Sequence, residues 1–257
     1  MMAARRVAVV VPARDEEAFL PAVLAAIPDW VDRVIVVDDG SQDATATVAA
    51  SWPDARLQLR ILRPGRGVGA AILAGYETAV TAGADVVAVV GGDGQMNLNE
   101  LAAVVAPVVA DEADYVQGTR FPGGRLRGRM PWARRIGNRL LTRLTAWASR
   151  ASVSDSQCGY TAASRDFARA MLRLPLPAGY GFPAFVRFHA HALERRVLER
   201  PVSAIYGDEI SGIRPWRDPI HIAARLVRLG LWLRSVPRGT AGAGPLSAGE
   251  RSLRRAT

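Results

Sequence analysis

Short runs of β-branched residues alternate with stretches of helical periodicity along the first half of the chain. That order builds βαβ units on a mostly parallel sheet, because a parallel partner strand needs a crossover long enough to hold a helix. Val7–Val11 is an unbroken apolar run and predicts a buried strand. Arg33–Val37, Leu57–Leu62, Val86–Val90 and Asp114–Gly118 predict four more. Between them, Glu16–Ile27, Ser41–Ser51, Val68–Ala82 and Leu98–Ala110 read as helices, with Ser41 as an N-cap. The expected class is α/β, a mostly parallel sheet flanked by helices.

Such a sheet binds ligands beyond the carboxyl ends of its strands. Three predicted strands end in polar clusters: Pro12-Ala13-Arg14-Asp15-Glu16, Asp38-Asp39-Gly40-Ser41 and Gly91-Gly92-Asp93-Gly94-Gln95. A lone aspartate at a strand end is an ordinary turn former. Three clusters at one edge instead converge on a crevice, where carboxylates can accept hydrogen bonds from a base or ribose. They can also hold a hard divalent cation that itself binds phosphates.

Charge divides the 257 residues into two unlike halves. Residues 1–118 hold 8 Arg against 16 acidic residues, and residues 119–257 hold 25 Arg against 8, with no lysine in either. The second half carries a Gly- and Arg-rich stretch over 120–135, expected as a mobile loop. Two amphipathic helices follow, Arg134–Arg150 and Pro219–Arg234. In the first, Ile136, Leu140, Leu144 and Ala148 share one face and Arg135, Arg139 and Arg143 another. Trp132, Trp147 and Trp232 are expected in the core, although Trp beside arginine also suits a membrane interface. Residues 237–257 are poor in large apolar side chains and are expected to be disordered.

Cys158 is the only cysteine, which excludes an intramolecular disulfide and a cysteine-built zinc site. It reads as a small buried residue, and His189 and His191 read as structural. The apolar run near the amino terminus is shorter than a signal peptide requires, and no stretch is long enough to span a bilayer. The expected location is cytoplasmic, peripheral at the inner face of the plasma membrane. Nucleic acid is not an expected partner, since no recognition motif accompanies the arginines.

Five motifs in order resemble the family 2 glycosyltransferases of GT-A fold, over about residues 5–215. They are Val-Val-Val-Pro-Ala-Arg-Asp-Glu, Val-Val-Asp-Asp-Gly-Ser-Gln-Asp, Gly-Arg-Gly-Val-Gly-Ala-Ala-Ile-Leu-Ala-Gly, Gly-Asp-Gly-Gln-Met and, on the acceptor side, Tyr-Val-Gln-Gly-Thr-Arg-Phe with Asp-Ser-Gln-Cys-Gly-Tyr-Thr-Ala. The branch they look most like is the dolichyl- or polyprenyl-phosphate sugar synthases. The resemblance implies a GT-A, Rossmann-like domain over 1–236, with a nucleotide-sugar half (5–118) and an acceptor, membrane-facing half (119–236). It implies inverting transfer of a hexose from a UDP- or GDP-sugar to a polyprenyl phosphate, assisted by Mg²⁺ or Mn²⁺.

Residue by residue, the resemblance places Pro12, Arg14, Glu16, Asp38, Asp39, Arg66, Gly92 and Asp93 around the nucleotide sugar. Asp93 and Gln95 fall at the metal position, Arg120 and Arg134 at the acceptor phosphate, and Asp93 and Asp155 are the candidate catalytic carboxylates. Two departures stand out. Gly91 occupies the first position of the usual Asp-x-Asp, removing one metal carboxylate. The stretch Tyr206–Arg214 lacks the usual Ser-Lys pair, which leaves open a hydroxyl acceptor on a glycan, glycolipid or small metabolite. Gly91 also leaves open a nucleotide-sugar-binding protein impaired in catalysis.

Overall fold

A computed structural model of the chain describes residues 5–128, 130–203, 205 and 218–235. The segments 206–214 and 237–257 singled out above lie outside these residues. Seven strands form one sheet: β1 (Val7–Ala13), β2 (Arg33–Asp38), β3 (Leu57–Ile61), β4 (Val86–Val89), β5 (Tyr115–Thr119), β6 (Thr161–Ser164) and β7 (Val197–Pro201). Their spatial order is β3-β2-β1-β4-β6-β5-β7. Only β6 runs against its neighbours, pairing antiparallel with both β4 and β5.

That reversal positions the site. Because β6 is inverted, β5 points the same way as β4, and the residues leading into β6 emerge at the edge where β1, β2, β4 and β5 end. The five strands expected from the sequence are all present. β6 and β7 were not expected: β6 is a four-residue Thr-Ala-Ala-Ser segment, and β7 carries Glu199 and Arg200.

Helices cover both faces: α1 (Leu20–Ala25), α2 (Thr45–Ala50), α3 (Val68–Thr81), α4 (Leu101–Val109), α5 (Trp132–Ser149), α6 (Arg165–Met171), α7 (Phe182–Ala192) and α8 (Asp218–Ser235). Alternate residues of β1 feed two cores. Val7, Val9 and Val11 meet α1 and α4, while Ala8 and Val10 meet α3 and α6, as expected for a strand buried on both sides. A third cluster joins α5, α7 and α8 through Ala148, Phe185, Phe188, Ile222, Leu226 and Leu229.

Three helices depart from expectation. α1 starts four residues late and α2 at Thr45 rather than Ser41, because the intervening residues lace two loops together. The Glu16 N–H donates to Thr45 Oγ1 at 2.8 Å, the Ala44 N–H to Glu17 Oε2 at 2.8 Å and the Gln42 N–H to Asp15 Oδ1 at 2.7 Å. Ser41 is thus no N-cap: its hydroxyl and N–H both turn back to Asp38 Oδ1.

α5 leaves outside the Trp132 and Trp147 that were expected in the core. Its polar stripe, Asn138, Thr142, Thr145 and Ser149, packs on the protein. Trp132, Ile136 and Leu140 are 77%, 52% and 59% exposed, and Trp147 is also exposed. Buried hydroxyls and amides are tolerated where they find partners: the loop entering β6 supplies them for Asn138 and Thr142, and Thr145 and Ser149 donate to carbonyls of α5 itself.

The stretch 120–135 is tied back at two points. The Arg127 N–H donates to the Arg120 carbonyl at 2.7 Å, and Arg127 pairs with Glu100 at 3.3 Å.

Candidate active site

β1, β2 and β4 are adjacent and parallel, so their three polar ends share one edge. Asp38 closes β2 and is fully buried beneath the loop, with Oδ2 left without a partner. Asp39, also buried, accepts the Arg66 N–H at 2.6 Å and the Gly67 N–H at 2.7 Å. A carboxylate held by two amides fixes the loop after β3, and that loop presents the exposed Arg66 beside the crevice. The fit is backbone to backbone: a Cβ on Gly65 would lie 2.3 Å from the Asp39 carbonyl oxygen, and one on Gly40, at φ +75°, 2.6 Å from the Gly65 nitrogen. Only glycine allows that approach. Arg14 extends over this loop from the end of β1, with Nη1 3.4 Å from that hypothetical Gly65 Cβ.

Gly92 rests on β1, its N–H donating to the Pro12 carbonyl at 3.1 Å. Asp93 follows half-buried, Oδ1 accepting the Gln95 N–H at 3.1 Å. A Cβ added at Gly91 would come 2.8 Å from Asp93 Oδ1, so the Asp93 carboxylate borders the space a first aspartate would need. No group of three or more His, Cys, Asp or Glu residues among the described residues could hold a metal ion. One carboxylate and the Gln95 amide remain as hard oxygen donors here. They fit a Mg²⁺-type ion that takes most of its ligands from diphosphate and water, the usual manner of Mg²⁺ binding.

The acceptor-side residues reach the same edge. Arg120 follows β5 and its guanidinium grips Asp155, Nε to Oδ2 at 2.7 Å and Nη2 to Oδ1 at 2.9 Å. Asp155 is 0% exposed and also accepts the Arg120 N–H, the Asn138 amide and the Gln157 N–H. Five donors on two oxygens leave it little capacity to take a proton from a substrate. In this arrangement it orients Arg120 and does not face the crevice as a base.

Asn138 ties the cluster to α5, and Arg134 lies one turn earlier on that helix, on the same face. Met96 closes the gap between the two sides. Its Sδ accepts the Gly91 N–H at 3.3 Å, and its methyl lies 3.5 Å from a Cβ built on Gly159. The Tyr160 hydroxyl donates to the Asn97 carbonyl at 3.1 Å.

Cys158 is buried, and burial pushes its thiol up to about 12, which removes it as a nucleophile. His189 is buried and pushed down to about 4 by burial and then by the Arg225 charge, and burial also pushes His191 down to about 4, so both fit a structural place. Sequence reasoning missed Asn138, Thr142 and Ser156, which form the polar floor under Arg120. Their signal was the i, i+4 polar pair on α5.

The family model described as "Glycosyl transferase family 2" matches residues 8–172. A glycosyltransferase of Mycobacterium tuberculosis is 36% identical over 211 residues, covering 82% of this chain and 89% of the relative. An undecaprenyl-phosphate mannosyltransferase of Micrococcus luteus is 30% identical over 253 residues, covering 88% and 100%. Among solved structures, glucosyl-3-phosphoglycerate synthase of M. tuberculosis with Mn²⁺, uridine diphosphate and glucosyl-3-phosphoglycerate superposes with a TM-score of 0.64. It is 20% identical and covers 92% of this chain and 82% of its own. The fold is GT-A, and the chain belongs to glycosyltransferase family 2.

Proposed function

We propose that the enzyme transfers a hexose from a UDP- or GDP-sugar to a polyprenyl phosphate at a membrane surface, with inversion at the anomeric carbon. The observation that carries this reading is the Asp155–Arg120 clasp. A hydroxyl acceptor needs a base within reach; of the two candidate carboxylates Asp155 is sealed and saturated with donors, and Asp93 is the one assigned to the cation. A phosphate arrives already ionised and needs positioning, which a fixed guanidinium provides through paired N–H groups. The undecaprenyl-phosphate mannosyltransferase relative, aligned over 88% of this chain, supports the same acceptor class.

On the donor side, Pro12, Arg14, Glu16, Asp38, Asp39, Arg66 and Gly92 frame the nucleotide sugar, with Arg66 reaching toward the diphosphate. Asp93 and Gln95 would hold a divalent cation, which when bound neutralises charge developing on the departing nucleoside diphosphate. Arg120 and Arg134 hold the acceptor phosphate so that its oxygen meets the anomeric carbon opposite the leaving group. Residues 5–118 thus serve the donor and 119–236 the acceptor and membrane, within one domain.

No helix among the described residues is long and apolar enough to cross a membrane. The exposed stripe of Trp132, Ile136 and Leu140 on α5 is flanked by Arg139 and Arg143. An apolar ridge beside cations suits the interface of a lipid bilayer with anionic headgroups, which supports a lipid-phosphate acceptor that arrives beside Arg134. Incubation with labelled UDP- and GDP-sugars, polyprenyl phosphate and Mg²⁺ or Mn²⁺ tests the proposal. Labelled lipid that disappears in Asp93→Ala supports it, and transfer to soluble hydroxyl acceptors alone refutes it.

A further inference from the structure

Behind the acceptor arginine lies a second ion pair that the reaction does not touch. Arg187, on α7, is 3% exposed, and its Nη2 donates to Glu199 of β7 at 3.2 Å and to the Ser152 carbonyl at 3.0 Å. Its Nε and Nη1 are buried without hydrogen-bond partners. Glu199 in turn accepts the Ser154 N–H at 3.0 Å, and its Oε2 lies 2.5 Å from Ser154 Oγ. Ser154 Oγ also lies 2.6 Å from Thr119 Oγ1, at the end of β5. Arg187 and Glu199 therefore grip Ser152 and Ser154, just before Asp155. Thr119, at the other end of the chain of contacts, immediately precedes Arg120.

Burial pushes the Arg187 guanidinium below its ordinary value, against the opposing charge of Glu199. A buried arginine with two unpartnered nitrogens is a poor way to gain stability, since an apolar side chain of similar volume avoids the desolvation. What the ion pair supplies is a fixed register between the 152–155 loop and the end of β5.

We propose that the buried Arg187–Glu199 pair is a positioning device that sets the Arg120 guanidinium for the acceptor phosphate. The proposal rests on the phosphate-acceptor reading above. With Glu199 neutralised, Ser154 loses its charged anchor and Asp155 its fixed place. Arg120 then samples orientations that no longer meet the acceptor.

The test is Glu199→Gln in the full chain. Transfer to polyprenyl phosphate is measured in detergent, binding of UDP and GDP by calorimetry, and amide hydrogen exchange by mass spectrometry. The expected result is an acceptor KM raised tenfold or more, nucleotide Kd unchanged within twofold, and faster exchange at Arg120 and Ser154. Arg187→Lys should recover part of the acceptor KM lost in Arg187→Met.

An unchanged acceptor KM, or acceptor KM and nucleotide Kd rising together, overturns the proposal. Should Glu199→Gln not fold, Ser154→Ala cuts the same link from the exposed side and is read by the same ratios. A wild-type enzyme that makes no lipid product refutes the polyprenyl reading separately. In that case exchange at the Arg120 amide decides the positioning claim, and an unchanged rate refutes it.

Discussion

Asp155→Asn isolates the clasp that ties Arg120 to the fold. The carboxylate accepts three bonds from Arg120, one from Asn138 and one from Gln157, all within 3.2 Å. Asparagine keeps one acceptor oxygen and turns an NH₂ group toward donors, so at least one Arg120 bond is replaced by a donor facing a donor. The negative charge that offsets the guanidinium is also lost. Breaking a buried pair from one side costs about 3–5 kcal/mol.

The Arg120 side chain is 17% exposed and can recover some hydration, which places the expected loss at the lower end, about 3 kcal/mol. This corresponds to a roughly 150-fold shift in the unfolding equilibrium. Urea unfolding followed by circular dichroism at fixed pH measures it, with the slope m checked for two-state behaviour. The double variant Asp155→Asn/Arg120→Met removes the stranded charge as well and should be less destabilised than the two single losses added together. A single-variant loss below about 1 kcal/mol, or additivity within about 0.5 kcal/mol, would refute the clasp.

Other outcomes follow from the same geometry. His189 is held neutral near pKa 4 by burial, so the unfolded chain binds a proton between about pH 6.5 and 4 that the native state refuses. Stability should be full above that window and fall as pH drops through it, with His189 contributing about 3 kcal/mol; His189→Asn should reduce the slope and leave the share of His191, which burial also pushes down to about 4, and an unchanged slope counts against it. Cys158, pushed up to about 12, should resist iodoacetamide in the native protein and react on unfolding. Gly65→Ala drives a Cβ to 2.3 Å from the Asp39 carbonyl oxygen, so UDP or GDP binding should weaken tenfold or more in calorimetry. Leu140→Glu places a charge on the exposed α5 stripe and should reduce co-sedimentation with anionic vesicles at least fivefold, leaving transfer to short-chain acceptors in detergent intact.

The polar edge of the sheet was legible in the sequence because its information is local. A β-branched run predicts its own strand, and the acidic cluster after it lands at the strand's carboxyl end wherever the sheet is parallel. Asp38, Asp39 and Asp93 were therefore placed at one edge before any contact was known. Helix starts were less legible. Glu16 and Ser41 suit a first turn, yet the Glu16 N–H is spent on Thr45 in a distant loop, and the Ser41 N–H and hydroxyl turn back to Asp38 at the end of β2. The roles of paired polar groups were least legible. Asp155 reads as a candidate base from its residue type, and only its burial and its five donors make it an orienting group.

Sequence alone determined the α/β class, the shared polar edge and the single buried cysteine, since each depends on periodicity, local order or residue count, and its motifs carried the resemblance to the family. Tertiary structure decided two things that periodicity cannot. One was the reversal of β6, which carries residues 155–160 round to the polar edge where β1, β2 and β4 end. The other was the face α5 buries. A helix of mixed character has two usable faces, and the one turned inward is the one whose polar groups find partners. On α5 that is the Asn138–Thr142 stripe, matched by Asp155 and Ser156, which leaves Trp132, Ile136 and Leu140 outside.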